Sequence, residues 1–236
     1  MPRPRVVLVP GFTQTSASWS GAADVVRETC HVRVLDVPAS STFAGTAAAI
    51  GAAGGDALYV GYSMGGRLCL RLALDRPDLV RGLMLVSAST GIADRAERAA
   101  RAEADEVLAE GVEQDTVESF LESWLSQPMF ATIPPDAPGL ADRSRLTPAF
   151  LAACLRVLGA GVMEPMWKDL GRLTMPVLLV TGTLDQKYGA IARRMLERMH
   201  PGVAHVQLDG GHALPLEQPA VLGGLITAFA AAHGAP

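Results

Sequence analysis

The chain has 236 residues, 49% hydrophobic and 19% charged, enough apolar matter for one large core or one core carrying an insertion. Twenty Lys+Arg against 24 Asp+Glu leave a net charge of −4, which excludes the broad cationic face that a nucleic-acid backbone requires. The three cysteines, Cys30, Cys69 and Cys154, are far apart with no C-x-x-C pair, which excludes a disulfide framework and the common zinc clusters and fits a reducing compartment.

At the start of the chain, Arg3 and Arg5 precede only four apolar residues before Pro10-Gly11. That is too few for a signal-peptide core, and no later stretch reaches the length of a membrane span. A soluble, cytoplasmic protein is expected, without membrane or nucleic-acid partners and without a cofactor; monomer and homo-oligomer both stay open. Short Val- and Leu-rich runs then recur at residues 6–9, 32–35, 58–60, 83–86, 177–180 and 203–208. They are continuous more than alternating, as strands buried on both faces of a parallel sheet must be. Helical spacing fills residues 42–53, 64–75, 188–199 and 218–232. This alternation predicts an α/β fold with a mostly parallel central sheet flanked by helices and right-handed crossovers.

One block breaks the alternation. Residues 91–171 contain no strand-like run, only helical patterns interrupted by Pro128, Pro134-Pro135, Pro138 and Pro148. Residues 94–110 read as a charged, alanine-rich helix. In residues 113–126, Val117, Phe120, Leu121, Trp124 and Leu125 form an i, i+3, i+4, i+7, i+8 stripe. The expected organisation is a core of residues 1–90 and 172–236, with 91–171 as a helical cap inserted after one strand.

The sharpest chemical signal is Gly61-Tyr62-Ser63-Met64-Gly65, between the run at 58–60 and the helix at 64–75. This G-x-S-x-G sequence is a nucleophile elbow in its strand–turn–helix setting. A strand that reverses at once into a helix strains the serine backbone, and side chains two residues either side would collide. The hydroxyl then stands at a helix N-terminus, where negative charge is favoured. A serine needs a base, and the base an orienting carboxylate, in the order Ser, Asp or Glu, His, each on a loop after a later strand. Asp185 and His212 stand in those places. Asp209 is the alternative acid, disfavoured because it would have to orient a histidine three residues on. His31, His200, His205 and His233 sit at an early strand, a helix end, mid-strand and the tail, and read as structural or solvated. Donors for a developing oxyanion fall to the Met64 N–H and, from the loop Pro10-Gly11-Phe12, the Phe12 N–H. No G-x-G-x-x-G or P-loop spacing is present, and no histidine pair has metal-ligand spacing.

Around this set, Arg67 lies in the first turn of the elbow helix, against the helix dipole, and so calls for a compensating anion, either a neighbouring carboxylate or a ligand. Arg95, Arg98 and Arg101 read from spacing as a solvated face, with Asp94–Arg98, Glu97–Arg101 and Arg101–Asp105 as i, i+4 ion pairs. Lys187 reads as a solvated loop lysine and Trp124 as core; Tyr62 points to pocket or core.

These residues together resemble the α/β-hydrolase superfamily. Within it, Gly61–Arg67, the cap run from Glu97 to Arg101 with Asp105, the stretch Trp124-Leu125-Ser126-Gln127-Pro128-Met129-Phe130-Ala131, the run from Leu158 to Trp167, and Asp185-Gln186-Lys187 are similar to MenH-type 2-succinyl-6-hydroxy-2,4-cyclohexadiene-1-carboxylate synthases. The resemblance implies elimination of pyruvate from an anionic cyclohexene precursor, with Ser63, His212 and Asp185 removing a ring proton. It implies that Arg67, Arg101, Tyr62 and Trp124 bind carboxylates, with Arg98 and Lys187 beside them. Without it, the same residues also suit a serine hydrolase, a carboxylesterase or carbon–carbon bond hydrolase working through an acyl-enzyme. The chain departs from the family pattern at Pro10, where His is usual, and at Asp36-Val37-Pro38-Ala39-Ser40-Ser41, which replaces Asp-x-Pro-Gly-His-Gly.

Overall fold

The computed structural model of the chain describes residues 2–38, 42–137 and 139–234. Ala39 to Ser41 of the departing loop and Pro138 of the cap lie outside the described residues. Six strands form one sheet: β1 Arg5–Val9, β2 His31–Val34, β3 Ala57–Tyr62, β4 Val80–Val86, β5 Val177–Gly182 and β6 Ala204–Leu208. Their order is β2-β1-β3-β4-β5-β6, with every pairing parallel, so Leu8 aligns with Val60, Val60 with Met84 and Met84 with Leu178. All six correspond to the apolar runs expected from the sequence.

The period of two along each strand divides the core into two layers. Val7, Val9, Tyr59, Leu83, Leu85 and Leu179 face one layer, covered by α2 Phe43–Gly54, α3 Met64–Asp75 and α7 Gln186–Leu196. Val6, Leu8, Leu58, Val60, Met84, Val86 and Val180 face the other, covered by α1 Ser20–Arg27, the short α8 Leu214–Glu217 and α9 Pro219–His233. Helix α1 is absent from the sequence reading. It is eight residues long, has no side-chain cap, and buries only Ala22, Ala23 and Val26, too short a stripe to stand out.

Between β4 and β5 run α4 Arg95–Gln114, α5 Val117–Leu125 and α6 Pro148–Leu158, an inserted helical cap. Ala109, Val112, Val117, Phe120, Leu121, Leu151 and Leu155 give it a small core of its own. Pro148, read from the sequence as a breaker, instead starts α6. It occupies the first turn, where its missing N–H costs nothing, and the Thr147 hydroxyl caps the Phe150 N–H at 3.2 Å. The solvated ion-pair face expected on α4 is also corrected. Only Arg101–Asp105 forms, and Asp105 is buried; Asp94 caps the helix through the Glu97 N–H instead. Helix α7 begins two residues before its expected start, since the Asp185 carboxylate caps it at the Tyr188 N–H.

The chain leaves β1 for one side of the sheet and reaches β3 on the other. Loops after β1 and β3 therefore part at the carboxyl ends of adjacent strands, where α/β sheets open a crevice.

Candidate active site

Ser63 sits in that crevice with φ 50° and ψ −110°, left-handed strain worth about 1–3 kcal/mol for a side-chain-bearing residue. The flanking glycines explain how the turn closes. A Cβ on Gly61 would lie 2.5 Å from the Gly65 carbonyl oxygen, and one on Gly65 would lie 2.4 Å from that of Pro10. Only hydrogen fits at either position, so β1, β3 and the start of α3 pack backbone to backbone.

Three residues distant in sequence meet here. His212 Nε2 lies 3.2 Å from Ser63 Oγ, and His212 Nδ1 lies 2.7 Å from Asp185 Oδ2. His212 is 2% exposed and Asp185 9%, so the coupling is shielded from water. Asp209 does not reach the imidazole; the Thr183 hydroxyl donates to it at 3.4 Å. The rival histidines have structural partners: His205 pairs with the Thr181 hydroxyl, His200 with the Pro201 carbonyl, and His233 packs on Phe229. A device the sequence did not disclose fixes the histidine loop. Glu217 accepts the Gly211 N–H at 2.5 Å and the Ala213 N–H at 2.7 Å, gripping the chain on both sides of His212.

Above Ser63 lies a cavity of about 360 Å³. Phe12 and Met64 both line it, and neither backbone N–H has a hydrogen-bond partner among the described residues. Two free donors beside a serine are what a developing negative charge needs. The walls divide by chemistry. Trp124 packs edge-on to Phe12 at 5.0 Å and lies 6.0 Å from Phe130, so the aromatic stripe of α5 serves the cap core and the cavity together. Tyr62 serves the sheet core and the cavity: it is 2% exposed in the layer that holds Leu8 and Val60, lines the cavity, and its ring lies 5.3 Å from that of His212.

Opposite the aromatics are cations. Arg67 has found no carboxylate; it donates to the Leu158 carbonyl at 2.7 Å and contacts the Met163 sulfur at 3.1 Å. Burial brings its pKa down to about 10, with Arg101 pushing the same way and Tyr188 and Asp105 opposing. Arg101 and Lys187 line the same cavity. Arg101 is held through Nε by Asp105 at 2.8 Å, and Asp105 Oδ2 has no partner among the described residues. Arg98 is the predicted site residue that the structure does not bring here. Its guanidinium turns back onto the Ile92 and Ala93 carbonyls at 3.0 and 3.4 Å, and it is not part of the cavity wall.

Two further residues escaped the sequence reading. Tyr188, in the first turn of α7, has its ring 4.5 Å from that of His212 at a 45° tilt and lines the cavity. Arg143, in the turn Ala141–Arg145 of the cap, is 2% exposed and donates to the Thr13 hydroxyl at 3.1 Å, while its Nε has no partner among the described residues. Burial lowers its pKa, opposed by Tyr62. Neither residue has a local signal: Tyr188 acquires meaning only when the histidine loop folds against it, and Arg143 only when cap and core meet. Among the described residues no cluster of His, Cys, Asp or Glu has the arrangement of a metal site, and no helix is long and apolar enough to cross a membrane.

Residues 6–223 match the alpha/beta hydrolase family. A Bacillus subtilis (strain 168) protein, provisionally named 2-succinyl-6-hydroxy-2,4-cyclohexadiene-1-carboxylate synthase, is 30% identical over 72% of this chain, which spans 64% of that protein's length. The synthase of that name from Enterobacter sp. (strain 638) is 28% identical over 93% of this chain and 88% of its own. The solved structure of MenH from S. aureus superposes with a TM-score of 0.89 at 24% identity, covering 98% of this chain and 95% of that one. The backbone is shared more widely: an esterase from Thermogutta terrifontis superposes at 0.73 and 19% identity, over 99% and 92%.

Proposed function

The chain belongs to the alpha/beta hydrolase family, and from that premise we propose that it is a lyase of the MenH type, eliminating pyruvate from an anionic cyclohexene carboxylate. The observation that carries the reading is the cavity wall: Arg67 and Arg101, neither neutralised by a carboxylate other than Asp105, face the same space as Ser63 and His212. A hydrolase of neutral esters has no use for two guanidiniums beside its serine, whereas a substrate with several carboxylates requires them. With a net charge of −4 on the chain, such a substrate is drawn by this local field and not by the whole protein.

In this reading Ser63 Oγ removes the ring proton as it passes its own proton to His212, and Asp185 holds the imidazole and balances its charge. The Phe12 and Met64 N–H groups receive the enolate-like charge that develops on the substrate carbonyl. Arg67, Arg101 and Lys187 hold carboxylates, Tyr62 shapes the floor, and Trp124 packs on the ring. The test is pyruvate release from freshly generated precursor, followed with lactate dehydrogenase. Release by the purified protein, lost in Ser63→Ala, is the expected result; no release above the uncatalysed rate overturns the reading.

Serine hydrolysis is the second reading, favoured by the 3.2 Å Ser63–His212 contact beside two unpartnered N–H groups, which also suits acyl transfer. Turnover of short nitrophenyl esters that survives Arg101→Ala, with no pyruvate release, would select it.

A further inference from the structure

Resting on that lyase reading, we infer that Tyr188 is a further catalytic residue, the acid that protonates the departing oxygen. Elimination needs a base and an acid, and the triad supplies only the base. Tyr188 is placed for the second role by two independent constraints. Its backbone N–H is tied to Asp185 Oδ1 at 3.2 Å, the carboxylate whose other oxygen holds His212. Its ring lies 4.5 Å from the His212 ring at a 45° tilt and forms part of the cavity wall beside Arg67, Arg101 and Lys187.

The phenol shares the cavity wall with Ser63 and His212, the couple that takes the substrate proton. Burial raises the phenol pKa, opposed by the nearby Arg67 and Arg101 guanidiniums, so Tyr188 remains a neutral donor at neutral pH beside two cations that steady a transient phenolate.

The step balances. The substrate C–H bond breaks, its electron pair becomes the new carbon–carbon π bond, and the proton ends on His212 through Ser63. The carbon–oxygen bond breaks with its pair on oxygen, and Tyr188 gives that oxygen its proton. The imidazolium then gives up its proton and the phenolate regains one in the cavity both rings line. The released enol tautomerises to pyruvate, and no oxidant or reductant is needed.

Tyr188→Phe tests this, because it keeps the ring against His212 and deletes only the hydroxyl. In the lactate dehydrogenase-coupled assay, kcat is expected to fall about 10²–10⁴-fold, with KM within about threefold of wild type. Labelling of Ser63 by a fluorophosphonate is expected to proceed at the wild-type rate, since the Ser63–His212 couple is untouched. The inference is overturned if kcat stays within about threefold, if the loss appears in KM alone, or if labelling falls in parallel with kcat. Should wild-type protein release no pyruvate, the lyase reading fails, a result distinct from a wild type that turns over beside an equally active Tyr188→Phe.

Discussion

Replacing Arg101 by methionine separates its binding role from its structural one. Asp105 is 1% exposed; its Oδ1 accepts from Arg101 Nε at 2.8 Å and, among the described residues, its Oδ2 has no partner and Arg101 is the only cation paired with this buried carboxylate. Breaking a buried pair on one side costs about 3–5 kcal/mol because a charge is left uncompensated. The Arg101 side chain is 40% exposed, which puts the expected loss at the low end, about 3 kcal/mol. In a chain of this size that lowers Tm by roughly 6–12 °C. Adding Asp105→Asn removes the stranded charge and is expected to restore about 2 of those 3 kcal/mol, read as a coupling energy in a urea-denaturation cycle. Activity separates from stability: the double variant is as stable as most single variants, yet releases no more pyruvate than Arg101→Met. If Arg101→Met loses less than about 1 kcal/mol, or Asp105→Asn restores less than about 0.5, the charge argument is wrong.

Gly65→Ala places a Cβ 2.4 Å from the Pro10 carbonyl and 2.5 Å from that of Val9, so backbone must move; a loss of at least about 1–3 kcal/mol and of most pyruvate release is expected from denaturation and rate assays. Gly111→Ala, in exposed α4 with nothing within 4 Å of the added carbon, should stabilise by about 0.5–1 kcal/mol and leave the rate unchanged. Glu217→Gln keeps one acceptor oxygen for two N–H groups, so one of Gly211 and Ala213 is stranded; a stability loss of about 1–3 kcal/mol accompanied by lower kcat is expected, and an unchanged kcat would show that His212 is positioned by other means. Arg67, with a pKa near 10 against an ordinary 12.5, is charged below pH 10: KM for the anionic substrate should stay flat from pH 7 to 9 and rise above about 10, and Arg67→Met should abolish that rise. The same shift makes the buried cation a stability penalty that is constant at neutral pH and relieved as pH climbs through 10 toward 12.5.

What the sequence disclosed is what short-range rules govern. The six strands appear as apolar runs because a doubly covered parallel sheet buries both faces of each. The elbow appears because its glycines are demanded by contacts among neighbours in sequence. Asp185 and His212 were found from chain order, and the 2.7 and 3.2 Å contacts join them to Ser63. Arg67 was half legible. Its place against the helix dipole called for an anion, but the Leu158 carbonyl and Met163 sulfur that meet it come from more than 90 residues away. Arg98 and Arg101 have the same spacing and the same residue type on one helix, yet only Arg101 turns to the cavity, because Asp105 holds it there and the loop carbonyls of Ile92 and Ala93 hold Arg98.

The arginines also divide by depth, and the division bears on function. At the surface, Arg27, Arg76 and Arg172 each lie against an aspartate within three residues, pairs worth little in either direction. Around Ser63 the pattern inverts. Arg143 is buried and Arg67 half-buried, neither with a carboxylate on it among the described residues, and burial lowers the pKa of both, the sign of a cation held where it is disfavoured. A fold selected for stability alone would exchange such groups for apolar ones. Their penalty is offset only when negative charge arrives, which for Arg67 means a bound carboxylate. Arg143 donates to the hydroxyl of Thr13, next in sequence to Phe12 and at φ 61°, so the charge it is expected to balance is the one that develops at the oxyanion donors. Arg143→Met should therefore leave stability unchanged or raised while lowering kcat, and a variant both less stable and fully active would show that the cation serves the fold and not the reaction.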